Sequence, residues 1–193
     1  STWSGYKLII WSAGNNTSPL SNSTWRQNLI DYVSSGGKLM VEGGEVAYDM
    51  ISSVGDSAFY NNVLHAYDWD SDNAGNLGVV SGMETHPIVT TPNSLPSEIN
   101  ITYGSYGDQD AAKITSDAYV VYAPASYSSE GGIIVYDNNA SPQSCQIVNY
   151  LFNFAALSDQ TIAKELLQNT VEYLLAMENP PVSSISGTIS CSD

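Results

Sequence analysis

Basic residues are almost missing from this chain. Lys7, Arg26, Lys38, Lys113 and Lys164 stand against 20 Asp and Glu, a formal net charge of −15 over 193 residues. A phosphate backbone would be repelled, so nucleic acid is excluded from the expected partners. Cations are the natural counter-ligands, and the same acidity supports solubility in a secreted or salty setting. Cysteine is scarce too: Cys145 and Cys191 are too few for a disulfide framework and lack metal-ligand spacing, and whether they pair stays open. Histidine occurs only as His65 and His86. No apolar run approaches the roughly 20 residues of a bilayer-spanning helix, so no membrane span is expected. The chain begins at Ser1 with no charged and then apolar leader, and any export signal is expected to have been removed or to lie upstream.

What is present describes a globular domain. The chain is 42% hydrophobic with 13 Tyr and 4 Trp, long enough to bury a core without metal or disulfides. Loops rich in Ser, Asn, Gly and Tyr suggest a secreted or cell-surface protein. Sequons at Asn15, Asn22, Asn100 and Asn139 would matter only in a glycosylating host.

Periodicity sets the order of elements. "YKLIIW" (6–11) is a buried strand, and "STWRQNLIDYVSSGG" (23–37) a helix with Ser23 or Thr24 as N-cap and a glycine stop. "KLMVEGG" (38–44) is a second buried strand, and "EVAYDMISSV" (45–54) a second helix. Strand, helix, strand, helix implies right-handed crossovers and a parallel sheet. "NVLHAYDW" (62–69) and "LGVVSGM" (77–83) are strand candidates, followed by a Pro-punctuated connection over 83–99. "AAKIT", "AYVVYAP", "GGIIVYDN" and "CQIVNYLFNF" add four more strands. The last helix, "SDQTIAKELLQNTVEYLLAM" (158–177), carries an apolar stripe of Ile162, Leu166, Leu167, Val171, Leu174 and Leu175, with Ser158 or Asp159 as cap. These elements form one domain over residues 1–177. "ENPPVSSISGTISCSD" (178–193) is a linker and the start of a following β module.

Taken together, "YKLIIWSAGN", "YVSSGGKLMVEGGEVAYD", "HPI" (86–88) and "IVNYLFNFAALSDQTIAKELLQNTVEYLL" resemble the class I glutamine amidotransferase-like domains of secreted multidomain bacterial proteins, over roughly residues 6–177. The resemblance implies an α/β three-layer sandwich with a flavodoxin-like, mostly parallel sheet, here with additional strands in the second half. Any site would lie at the C-terminal ends of the strands. It also implies a strand and helix ahead of "YKLIIW", where this sequence has only "STWSG".

In active amidotransferases a cysteine sits on the strand-to-helix turn that matches "KLMVEGG". This turn reads Glu42-Gly43-Gly44-Glu45, with no Cys, Ser or Thr, and no histidine follows His86 to serve as partner. A thiol triad is therefore not expected. If the chain is an enzyme, Glu42, Glu45 and His86 are the candidate catalytic groups. The alternative for each is structural: Gly43 and Gly44 permit a tight turn, Glu45 caps the next helix, and His86 bonds to backbone.

"DWDSDNAGN" (68–76) raises the metal question. Asp68, Asp70 and Asp72 have the alternate spacing that lets three carboxylates converge on a hard ion such as calcium, although Asn73 and Val79 stand where a helical calcium loop has Gly and Glu. The same alternation on a strand would point three acids to solvent with Trp69 turned to the core. Both readings stay open, and no cofactor beyond a structural calcium is implied. The function expected is a non-catalytic accessory or binding module of a larger secreted protein, working with neighbouring domains, carbohydrate or protein. The alternatives are a hydrolase using acidic residues or a metal, and a carbohydrate-binding module.

Overall fold

A computed structural model describes residues 3–137 and 145–176. β1 (Leu8–Gly14), α1 (Ser23–Ser34) and β2 (Lys38–Gly43) match the first expected unit. α2 (Val46–Tyr48) runs on as a π-helical turn over Asp49–Val54, and α3 (Ser57–Phe59) does the same over Tyr60–Leu64. The middle holds β3 (Ala66–Asp72), β4 (Leu77–Val79), α4 (Pro87–Thr90), β5 (Glu98–Ile99) and β6 (Asp110–Ile114). β7 (Tyr119–Pro124), β8 (Ile133–Asp137), β9 (Gln146–Tyr150) and α5 (Gln160–Ala176) follow.

Seven strands form the main sheet in the order β1-β2-β9-β8-β7-β4-β5, and β3 pairs with β6 in a separate antiparallel sheet. Parallel pairing is confined to β1, β2 and β9; α1 makes the crossover from β1 to β2, and the chain returns to β9 only after the middle strands. The additional strands extend this unit antiparallel, which makes the whole sheet mixed. Both faces are covered, as an α/β sandwich requires. On β2, Met40 joins the core under α5, while Leu39 and Val41 join the core under α1 to α3. β9 alternates the same way, with Ile147 on the α1 side and Val148 and Tyr150 on the α5 side.

Local chemistry departs from the expectations at several points. Asn22, not Ser23 or Thr24, caps α1, accepting from the Thr24 and Trp25 N–H groups. Residues 62–64, expected to open a strand, end a helix instead. His65 then takes a left-handed φ of 52° and β3 starts at Ala66. In α5 the buried line is Ala163, Leu166, Asn169, Thr170 and Leu174, while Leu167 is 36% exposed. The stripe is rotated because two polar residues are wanted inside. Asn169 Nδ2 donates to the Ile88 and Asn93 carbonyls, and Thr170 bonds the Tyr150 hydroxyl. The tail over 178–193, Cys191 and the Asn139 sequon lie outside the described residues. Among the described residues, no helix is long and apolar enough to cross a membrane.

Candidate functional site

β1 and β2 end side by side, and the turn after β2 is where the resemblance places a nucleophile. Gly44 donates its N–H to Gly14 O across this end of the sheet, at 3.1 Å. A Cβ on Gly44 would run into Gly107 O and stand 2.5 Å from the Asp108 carbonyl carbon. The short turn Tyr106–Asp108 thus lies directly over the position. That turn is held hard: the Asp108 carboxylate accepts from Gly104 and Ser105 N–H at 2.6 and 2.7 Å, and its carbonyl accepts from Asn153 N–H at 2.8 Å. Only glycine fits beneath it.

Glu42, the first glutamate of the turn, is 2% exposed and fully committed. Its carboxylate accepts from the Ser12 hydroxyl at 2.6 Å, Phe154 N–H at 2.7 Å and Gly14 N–H at 3.4 Å, tying together the loops after β1 and β9. Such a carboxylate is a structural bracket. His86 belongs elsewhere. It caps α4 by accepting from Ile88 N–H at 3.2 Å, and its Nε2 lies 3.1 Å from the Tyr119 hydroxyl, with Tyr173 against the ring. Those partners face α5. The structure does not bring His86 together with either glutamate of the turn.

Glu45 is the unusual member. It occupies the N-cap position of α2 but makes no capping bond. Asp110, from the start of β6, supplies the cap instead: its Oδ2 accepts from Ala47 and Tyr48 N–H, both at 3.0 Å, and its Oδ1 accepts from Trp69 Nε1–H at 2.7 Å. Glu45 is left 2% exposed with Oε1 unpartnered. Burial first, then the like charges of Asp72 and Asp49, push its pKa up to about 7. Asp110 is wholly buried, and desolvation lifts it well above the usual carboxylate range despite its three donors. Burial raises Asp72 as well.

The three acids of "DWDSD" part company. Asp68 and Asp70 grip Lys113, whose Nζ lies 2.7 Å from one and 3.2 Å from the other. Asp72 turns the other way. The reason is a bulge: Trp69 pairs with Ala112, Ser71 with Ala111 and Asp72 with Asp110, so Asp70 is the extra residue. One inserted residue reverses the alternation and puts Asp72 on the Trp69 face, beside Asp110. Among the described residues, the three acids that each bring one oxygen within 4.8 Å of the others' are Glu45, Asp72 and Asp110. Asp110 carries no spacing signal that would have joined it to Asp72 in the sequence. Its one hint is a charge at the head of an apolar strand.

A cleft of about 440 Å³ opens over this group, walled by Thr17, Tyr48, Trp69 and Tyr106 together with Glu45 and Asp72. Tyr48 and Trp69 meet edge to face at 5.0 Å. The cleft sits beyond the C-terminal ends of β1 and β2, where open α/β sheets hold ligands.

The fold has solved counterparts. One is a Thermoplasma acidophilum protein assigned as a component of GMP synthase, with a TM-score of 0.58 and 12% identity over 92% of this chain and 77% of that one. Another is the mmIFT52 N-terminal domain, with a TM-score of 0.51 and 12% identity over 98% of this chain and 82% of that one. At this identity the likeness shows the fold alone, and that fold is an amidotransferase-like α/β sandwich. No family model and no curated protein matches the chain.

Proposed function

We propose that the chain is a non-catalytic binding module on an amidotransferase-like scaffold, an accessory unit of a larger secreted or cell-surface protein. The observation that carries this reading is the backbone of Gly107 and Asp108 seated over Gly44, which leaves no room for a nucleophile on the turn. Cys145 offers no substitute, since burial pushes its thiol up to about 12 and the thiolate is scarce at neutral pH. The ligand surface is the cleft beside the turn. Its rings, Tyr48, Trp69 and Tyr106, suit a sugar or a protein segment, the classes expected from composition.

A hydrolase is the second reading, favoured by one observation: Glu45, buried and unpartnered with a pKa near 7, has the proton affinity of a general acid or base. Two measurements separate the readings. Incubation with glutamine and with a chloroketone analogue of glutamine is expected to give no ammonia release and no mass adduct. Turnover of glutamine, or of any ester, amide or glycoside in a hydrolase screen that disappears in Glu45→Gln, would overturn the non-catalytic reading.

A further inference from the structure

We infer that Glu45, Asp72 and Asp110 form a binding site for a hard divalent cation of the calcium class, with its open side in the cleft under Tyr48 and Tyr106. The inference does not rest on the module being catalytic or not.

Three observations combine. The carboxylates come from three separate elements, the turn after β2, the end of β3 and the start of β6, and one oxygen of each lies within 4.8 Å of the others. Opposed ligands of a calcium ion stand about 4.6–5.2 Å apart, twice its metal–oxygen distance, so oxygens within 4.8 Å of one another lie inside the span of one ion. One calcium ion can therefore touch all three. Glu45 is the independent witness. It is 2% exposed, aimed into the cleft, and its Oε1 has no hydrogen-bond partner. A buried carboxylate oxygen normally has a donor, and a cation supplies what this one lacks.

The donor set selects the metal. All three ligands are carboxylate oxygens, while His65 stacks on Tyr136 and His86 meets Tyr119 edge to face, away from this group. Oxygen-only sites favour calcium, magnesium or manganese over zinc or copper. Asp110 is pre-positioned by the Ala47, Tyr48 and Trp69 N–H groups, so its place does not depend on the ion. Three carboxylates with remaining positions open to water match extracellular calcium modules, whose dissociation constants run about 10⁻⁴ to 10⁻³ M.

The test uses terbium as a luminescent substitute for calcium, excited through the indole of Trp69, in a potassium chloride background that screens the acidic surface. Sensitised emission is expected to saturate at one ion per chain and to be displaced by calcium. Glu45→Gln and Asp72→Asn are each expected to weaken calcium at least roughly tenfold, the lower end of what disturbing a metal's supporting shell costs. Asp68→Asn, which touches only the Lys113 pair, is expected to leave binding unchanged. Should Glu45→Gln fail to fold, the half-exposed Asp72 position decides. Absent emission, emission unchanged in both cluster variants, or equal loss in Asp68→Asn overturns the site. Magnesium displacing terbium as well as calcium does overturns the choice of ion.

Discussion

Gly44 shows how one position can decide what a scaffold is able to do. The peptide of Gly107 and Asp108 occupies the space a Cβ would need, and the contact is to backbone, which cannot swing aside like a flexible side chain. Gly44→Ala must displace the turn over Tyr106–Asp108 and the capping bonds that hold it. Overpacking of this kind costs about 1–3 kcal/mol. A loss of that size in urea denaturation is the expected outcome, and an unchanged midpoint would mean that the turn lifts freely and the position is open after all. Glu42 and Glu45 make the complementary point. They are three residues apart and equally buried, yet one is saturated by donors and the other has none, because Asp110 took over the capping role that Glu45 stood ready for.

Among elements, α5 is the clearest case of a helix that is legible in existence but only in part in orientation. Its apolar stripe predicts a face through Ile162, Leu166, Leu167, Val171, Leu174 and Leu175. Leu166 and Leu174 are indeed buried, but the packed face continues through Ala163, Asn169 and Thr170 and leaves Leu167 on the exposed side. Asn169 replaces the missing backbone partners of the α4 segment: it donates to Ile88 O at 2.9 Å and Asn93 O at 2.8 Å and accepts from Asn93 N–H at 2.9 Å. Asn169→Ala removes the donor from the buried Ile88 carbonyl, at about 1–3 kcal/mol, and frees the part-buried Asn93 groups at smaller cost. Leu167→Ala, on the exposed side, is expected to change stability by no more than about 0.5 kcal/mol. Thermal denaturation of the two variants checks the orientation, and a larger loss for Leu167→Ala would restore the apolar stripe as the packed face. β3 carries the same lesson, since its bulge sends Asp72 to the opposite face from Asp68 and Asp70.

For the molecule as a whole, 20 acids against five Lys and Arg mean that most acids have no basic side chain to pair with. Glu130, 6% exposed, faces Asp70, and burial together with that neighbour raises its pKa, as a proton held between two acids requires. A carboxyl raised on folding contributes stability that is complete below its unfolded pKa, about 4.3, and lost as the pH climbs through the folded value. The native chain is therefore expected to lose stability across that range relative to Glu130→Gln, whose amide donates to Asp70 at every pH. Parallel stability curves for the two would mean that the fold holds no such proton. Read by itself, the sequence determined the α/β class, the β1-α1-β2 unit, the last strand and helix, and the lack of a nucleophile at residues 42–45. These follow from local periodicity and from which side chains are present, and neither depends on distant partners. Only the tertiary structure decided that β3 leaves the main sheet, that Tyr106–Asp108 seals the turn, and that Asp110 joins Glu45 and Asp72. Each of those depends on a bulge, a loop path or a contact between residues 27 to 65 positions apart in the chain, and no repeat in the sequence encodes such a meeting.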